Sequence, residues 1–179
     1  MRKNDTRRFL SRRLLCRGEK FILYRDRLRW PGVRKVFREW AHRPRISAIV
    51  MRASGGRLVL VRQHRYGINR WLWEIPAGTV HDGESSRACA RRECEEETGF
   101  RPRALEPLGF FVPTPAFSDE TVFLYRAAGL KKTRANPDFD ERITVGIFSE
   151  ARVRAMLRSG VIQDAKSIIA LYRYFGGRS

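Results

Sequence analysis

Apolar residues in this chain first recur with the two-residue period of a strand. That pattern predicts strands over residues 20–28, 33–40, 46–52 and 57–63, where β-branched and aromatic side chains alternate with polar ones or gather into short apolar runs. Trp30-Pro31-Gly32 and Ala53-Ser54-Gly55-Gly56 punctuate them, the second joining its neighbours as a hairpin. The period then changes. Residues 85–98 are rich in helix formers, follow Gly83-Glu84 and stop at Gly99, a residue suited to a left-handed cap. Strands return over 108–112, 121–127 and 143–148, with a polar loop at 131–142 before the last. Two helices close the chain, 149–158 before Gly160 and 164–175, the latter with Ile168, Ile169, Leu171, Tyr172 and Phe175 on an apolar face. Strands and helices in this order predict an α/β fold, with an antiparallel sheet at the N-terminal end.

Composition narrows the class. The chain has 179 residues and is 42% hydrophobic, enough to bury a core without disulfides or a structural metal. No apolar run approaches the roughly 20 residues of a membrane span, so a soluble protein with no membrane partner is expected. Cys16, Cys89 and Cys94 form no CxxC pair and are odd in number, which argues for free thiols in a reducing cytoplasm. The basic opening segment has the flavour of an organellar presequence, but Asp5 and Glu19 interrupt it. Charge changes the picture most. The net charge is +18, and residues 1–45 hold 16 basic groups against Asp5, Glu19, Asp26 and Glu39. Such an excess points to polyanionic company, whether nucleic acid, an anionic membrane face or phosphorylated small molecules, or else to an arginine-rich solvated surface.

One segment inverts that charge. Residues 78–100 carry six acids against three bases, and Glu93, Glu96 and Glu97 stand at i, i+3 and i+4, so a helix puts their carboxylates on one face. Like charges so placed repel, unless a hard divalent cation such as Mg²⁺ or Mn²⁺ takes their oxygens as ligands. The spacing is more specific still: Gly78, five residues, Glu84, seven residues, then Arg92-Glu93-Cys94-Glu95-Glu96-Glu97-Thr98-Gly99-Phe100. This resembles the Nudix box, Gly-x5-Glu-x7-Arg-Glu-U-x-Glu-Glu-x-Gly-U with U apolar, and all seven fixed residues match. At roughly one in fifteen per residue type, such a match arises by chance about once in 10⁸ starts. Cys94 stands where a branched aliphatic is usual, a small change because cysteine packs as a small hydrophobe.

The resemblance implies a Nudix fold, a mixed sheet sandwiched between helices, and pyrophosphate hydrolysis with a divalent metal. It implies that Glu93, Glu96 and Glu97 are metal ligands and catalytic, joined by the backbone carbonyl of Ala77. Arg92 and Glu84 are implied as an ion pair that orients Glu93, while Gly78 and Gly99 serve backbone geometry. Outside the box the chain resembles the ADP-ribose pyrophosphatase branch from about Leu10 to Tyr172. The carrying residues are Val61-Arg62-Gln63-His64-Arg65-Tyr66, Glu74-Ile75-Pro76-Ala77-Gly78, Pro115, Glu120, Tyr125 and the run from Gly160 through Asp164-Ala165-Lys166. Substrate-binding candidates are accordingly Arg65, Glu74, Pro115 and Glu120. The branch also implies a homodimer in which residues 1–45 form a strand arm reaching the partner's substrate, with Arg38 as the candidate arginine, beside a hydrolase domain over 46–179. A planar guanidinium suits that task because it donates two bonds to a phosphate at once.

Two departures leave roles open. Phe139 stands near the position where relatives supply a glutamate base, so Asp138, Asp140, Glu141 or a box glutamate are all candidates for activating water. Ala116 follows Pro115 where glycine is commoner. Two other readings compete with a nucleoside diphosphate sugar as substrate: hydrolysis of dinucleoside polyphosphates or capped RNA, and a Nudix-like module that binds nucleic acid.

Overall fold

A computed structural model describes residues 8–136 and 142–176. The strands are β1 (Arg8–Arg17), β2 (Ile22–Trp30), β3 (Val33–His42), β4 (Ile46–Arg52), β5 (Arg57–Arg65), β6 (Arg70–Glu74), β7 (Ala77–Thr79), β8 (Phe100–Phe111), β9 (Val122–Lys132) and β10 (Ile143–Ser149). The helices are α1 (Ser86–Thr98), α2 (Glu150–Arg158) and α3 (Ala165–Gly176). They divide into two compact units, Met1–Pro44 with Val112–Thr121, and Arg45–Phe111 with Val122–Ser179.

The first unit is a three-stranded antiparallel sheet in the order β1-β2-β3. On one face Arg12 donates to Asp26 at 2.7 and 2.9 Å and lies over the rings of Trp40 and Tyr24, 4.6 and 5.0 Å from their centroids. The Trp40 indole N–H also donates to Asp26, at 3.0 Å. These partners hold the Asp26 carboxyl below its ordinary pKa, Arg12 contributing most. The segment 112–121 belongs to this unit through the end of β3: Ala41 N–H donates to the Phe117 carbonyl at 2.7 Å, and Asp119 accepts from the Arg43 N–H at 2.9 Å.

The second unit is built on a mixed sheet in the order β10-β5-β4-β9-β8, with β6 added on β5 and β7 on β4. Strand β4 runs parallel to β9 and antiparallel to β5 and β7. Its apolar run is explained by cover on both sides. Ala48 and Val50 pack with Val153, Met156, Ala170 and Leu171 of α2 and α3, whereas Ile49 and Met51 pack with Ala90 and Cys94 of α1. Each fully buried aliphatic side chain here contributes roughly 1.5–3 kcal/mol of transfer free energy. The sandwich of one helix against two thus follows from alternation within a continuous apolar strand. Among the described residues no helix is long and apolar enough to cross a membrane.

Three elements differ from the sequence expectation. Strand β1 lies where the sequence shows only a basic opening segment; both of its faces are largely exposed, so no apolar alternation marks it. Strand β8 begins at Phe100 rather than near 108, and its Pro102 and Pro107 are tolerated because β8 is an edge strand. Strand β9 continues to Lys132, into the segment expected as a polar loop.

Candidate active site

Helix α1 is fixed at both ends by its own sequence. The Ser85 hydroxyl accepts the Ala88 N–H at 3.1 Å as an N-cap, and Gly99, at φ 69°, closes the C-terminus with its N–H on the Glu95 carbonyl at 2.9 Å. Two hydroxyls fasten it to the sheet: Ser47 donates to the Ser86 carbonyl at 2.7 Å, and the Ser86 and Tyr125 hydroxyls lie 2.8 Å apart. Cys89 and Cys94 face the core; burial pushes the Cys89 thiol up to about 12 and the Cys94 thiol higher still, so both remain neutral packing groups.

On the other side of this helix the acidic residues meet β7. Glu93 and Glu97 are 8% and 4% exposed, an unusual depth for carboxylates. Gly78 is required by space: a Cβ there would lie 1.8 Å from Glu93 Oε1. Glu97 Oε2 accepts the Ala77 N–H at 3.2 Å, which brings Glu97 against the residue whose carbonyl is the expected further ligand. Arg92 is the hub. It donates to Glu84 at 3.0 and 3.1 Å, to Glu93 at 2.6 Å, to Glu96 at 2.8 Å and to the Thr79 carbonyl at 2.9 Å. Burial works against the Arg92 charge, but Glu84, Glu96 and Glu93 outweigh it and raise its pKa, so it is always cationic. Arg92 in turn holds the Glu84 carboxyl below its ordinary value.

A second charged knot lies on β5, β6 and α3. Glu74, 1% exposed, accepts from Arg65 at 2.8 and 2.5 Å and from Lys166, which also donates to Asp164 at 2.8 Å. Burial alone would raise the Glu74 carboxyl, but Arg65 and Lys166 more than offset it and leave its pKa lowered. Arg65 also feels the negative charge of Glu97, so the knot adjoins the acidic cluster. Glu74 therefore anchors Arg65 from behind. Lys166 and Asp164 were visible in the sequence only as part of the run from Gly160, with no site role attached to them.

The structure thus brings together Ala77, Gly78, Glu84, Arg92, Glu93, Glu96, Glu97 and Gly99, with Arg65 and Glu74 alongside. Arg38, Pro115 and Glu120 belong to the first unit. There the Arg38 guanidinium lies over Trp30 at 5.1 Å, Glu120 accepts from Arg43 at 3.2 Å, and Pro115 sits in a turn where the Thr114 carbonyl accepts the Phe117 and Ser118 N–H groups. Asp138, Asp140 and Glu141 lie outside the described residues.

The donor set fits a hard divalent cation. Glu84, Glu93 and Glu96 all pair with the guanidinium of Arg92, Glu97 accepts the Ala77 N–H, and every acidic donor is an oxygen. Among the described residues no three acidic, histidine or cysteine side chains are grouped so as to hold a metal ion; Glu93 and Glu96 instead share Arg92 Nη1.

Comparison with known proteins gives the family and the fold. The NUDIX domain family matches residues 41–171. A methanol dehydrogenase activator from Bacillus methanolicus is 32% identical over 156 residues, spanning 86% of this chain and 84% of that protein. An ADP-ribose pyrophosphatase from Mycobacterium tuberculosis (strain ATCC 25618 / H37Rv) is 34% identical over 159 residues, 87% of this chain and 77% of that protein. A solved structure of an ADP compounds hydrolase shares the fold, with a TM-score of 0.85 at 21% identity over 96% of this chain and 93% of that one. With a complete box folded onto one helix and a family match over most of its length, this chain belongs to the Nudix hydrolase family.

Proposed function

We propose that the protein hydrolyses the pyrophosphate bond of ADP-ribose or a related nucleoside diphosphate sugar, releasing a nucleoside monophosphate and a sugar phosphate. The observation that carries this reading is the pair of buried carboxylates, Glu93 and Glu97, held against Ala77 and Gly78 with Arg65 within electrostatic reach. Similarity to an ADP-ribose pyrophosphatase over most of both chains supports the substrate class. Nudix hydrolases use a divalent cation; here Glu93, Glu96, Glu97 and the Ala77 carbonyl would hold it, Mg²⁺ in the first instance and Mn²⁺ as a substitute. Once bound, such an ion neutralises phosphate charge and lowers the pKa of an attacking water.

The chain's own residues do the rest. Arg65, held by Glu74, binds a phosphate of the diphosphate through its guanidinium. Arg92 keeps the cluster's carboxylates together and fixes the Glu93 rotamer. Water is deprotonated by a carboxylate from Asp138, Asp140 or Glu141, or by a box glutamate. The active form is a homodimer in which Arg38 serves the partner subunit's substrate, and three free thiols suit a reducing cytoplasm.

The test is a substrate panel of ADP-ribose, GDP-mannose and a dinucleoside polyphosphate, with Mg²⁺, Mn²⁺ or a chelator. AMP and ribose 5-phosphate should form from ADP-ribose only with metal, and Glu93→Gln or Glu97→Gln should lower kcat by roughly 10² or more. An intact ADP-ribose pool with folded wild-type protein would overturn the substrate assignment.

A further inference from the structure

The register of the first unit sorts its charges by face. Across β1, β2 and β3, directly opposed residues share a face, so Arg12, Asp26 and Arg38 lie on one side with Leu14, Tyr24 and Trp40. The other side carries Arg13 opposite Arg25 and Glu39, Ser11 opposite Arg27 and Phe37, and Arg8 opposite Arg29. Lys35 falls on the same side by its two-residue offset from Phe37. Every one of these side chains is exposed. On the first face Arg12 is paired with the buried Asp26. The second has Glu39 as its one carboxylate, held by Arg25 at 2.8 Å, and among the described residues Arg8, Arg13, Arg27, Arg29 and Lys35 have no ion-pair partner.

Such a face works against folding. Arg13 opposite Arg25, and Arg8 opposite Arg29, are like charges at directly opposed positions, an arrangement that destabilises a sheet. A polyanion laid across the strands removes that repulsion. The spacing suits a polymer: neighbouring strands are about 4.8 Å apart and same-face residues along a strand about 6.7 Å apart, so the cations form a grid rather than a single-phosphate pocket. Their chemistry is almost wholly guanidinium, which grips phosphate oxygens bidentately. At the middle of the grid Phe37 is 54% exposed, offering a ring on which an unpaired base can stack. A membrane surface would call for several exposed apolar side chains among the cations; on this face Phe37 is the one large apolar side chain that is exposed, Leu23 and Ala41 being half-buried.

We propose that the arginine face of β1, β2 and β3 binds single-stranded nucleic acid, independently of hydrolysis by the acidic cluster. The full-length protein is titrated into fluorescently labelled 20-nucleotide RNA and DNA single strands, a duplex of equal charge, and vesicles containing phosphatidylserine, across a salt series. Single strands should bind with affinity falling linearly in log salt. Neutralising Arg13, Arg27 and Arg29 to Gln should lower affinity at least tenfold and flatten the log–log salt slope by about 2, while Lys at all three should retain most binding. Phe37→Ala should cost about tenfold on single strands and much less on duplex. Hydrolysis of nucleoside diphosphate sugars by the Arg13, Arg27 and Arg29 variant should be unchanged, which separates this inference from the proposed activity. Absence of binding, equal affinity for duplex, preference for vesicles, or binding indifferent to these substitutions would each overturn it.

Discussion

At the scale of single residues, the site depends on what is missing from Gly78 as much as on what the glutamates provide. Because a Cβ there would overlap the Glu93 carboxylate, Gly78→Ala should push Glu93 out of place and lower kcat by about 10². Circular dichroism and thermal melting should remain near wild type, and a variant that loses activity only by unfolding would contradict the argument. Glu74 makes a different demand. Its pKa is lowered from the unfolded reference of 4.5, so its contribution to stability is fully present above that pH and disappears as pH falls through the folded value. Glu74→Gln should cost roughly 2 kcal/mol at pH 7, less than a fully buried pair because Arg65 is 40% exposed. Urea midpoints should show the difference from wild type shrinking below pH 4.5. The box residues were legible from spacing alone, since seven positions fix one another. Lys166 was not, because a lysine gains its meaning only when α3 brings it to a carboxylate on β6, a contact 92 residues apart in sequence.

Elements were legible where burial imposes a period. Strands β4 and β5 carry apolar runs because helices cover both faces, and α1 announces itself through Ser85 and Gly99. The Ser85 cap gives the prediction at this scale: Ser85→Ala should lower stability by about 1 kcal/mol, measured by chemical denaturation, and leave KM for the substrate unaltered. Strand β1 escaped notice for the opposite reason. Held by its ladder to β2 and exposed on both faces, it has no periodic signature to read. The prolines of β8 likewise hide a strand that survives them by lying at the sheet's edge.

For the whole molecule, the α/β class and the N-terminal antiparallel sheet could be anticipated from the order of elements, and the mixed sheet between helices from the resemblance that the box carries. The positions of the substrate-binding candidates could not, because Pro115 and Glu120 fold with strands from the far N-terminal end, and no local pattern links the two stretches. Net charge was likewise uninformative as a total; it became so once the ladder assigned each arginine to a side. The segment from Val112 to Thr121 has one more consequence. Since it returns to the first unit between β8 and β9, that unit is stitched into the gene at two places, and it cannot be shuffled among proteins as a single cassette. A graft or deletion made at Pro44 alone would strand Asp119 and Glu120 without His42 and Arg43, so any exchange of this module has to carry both pieces together.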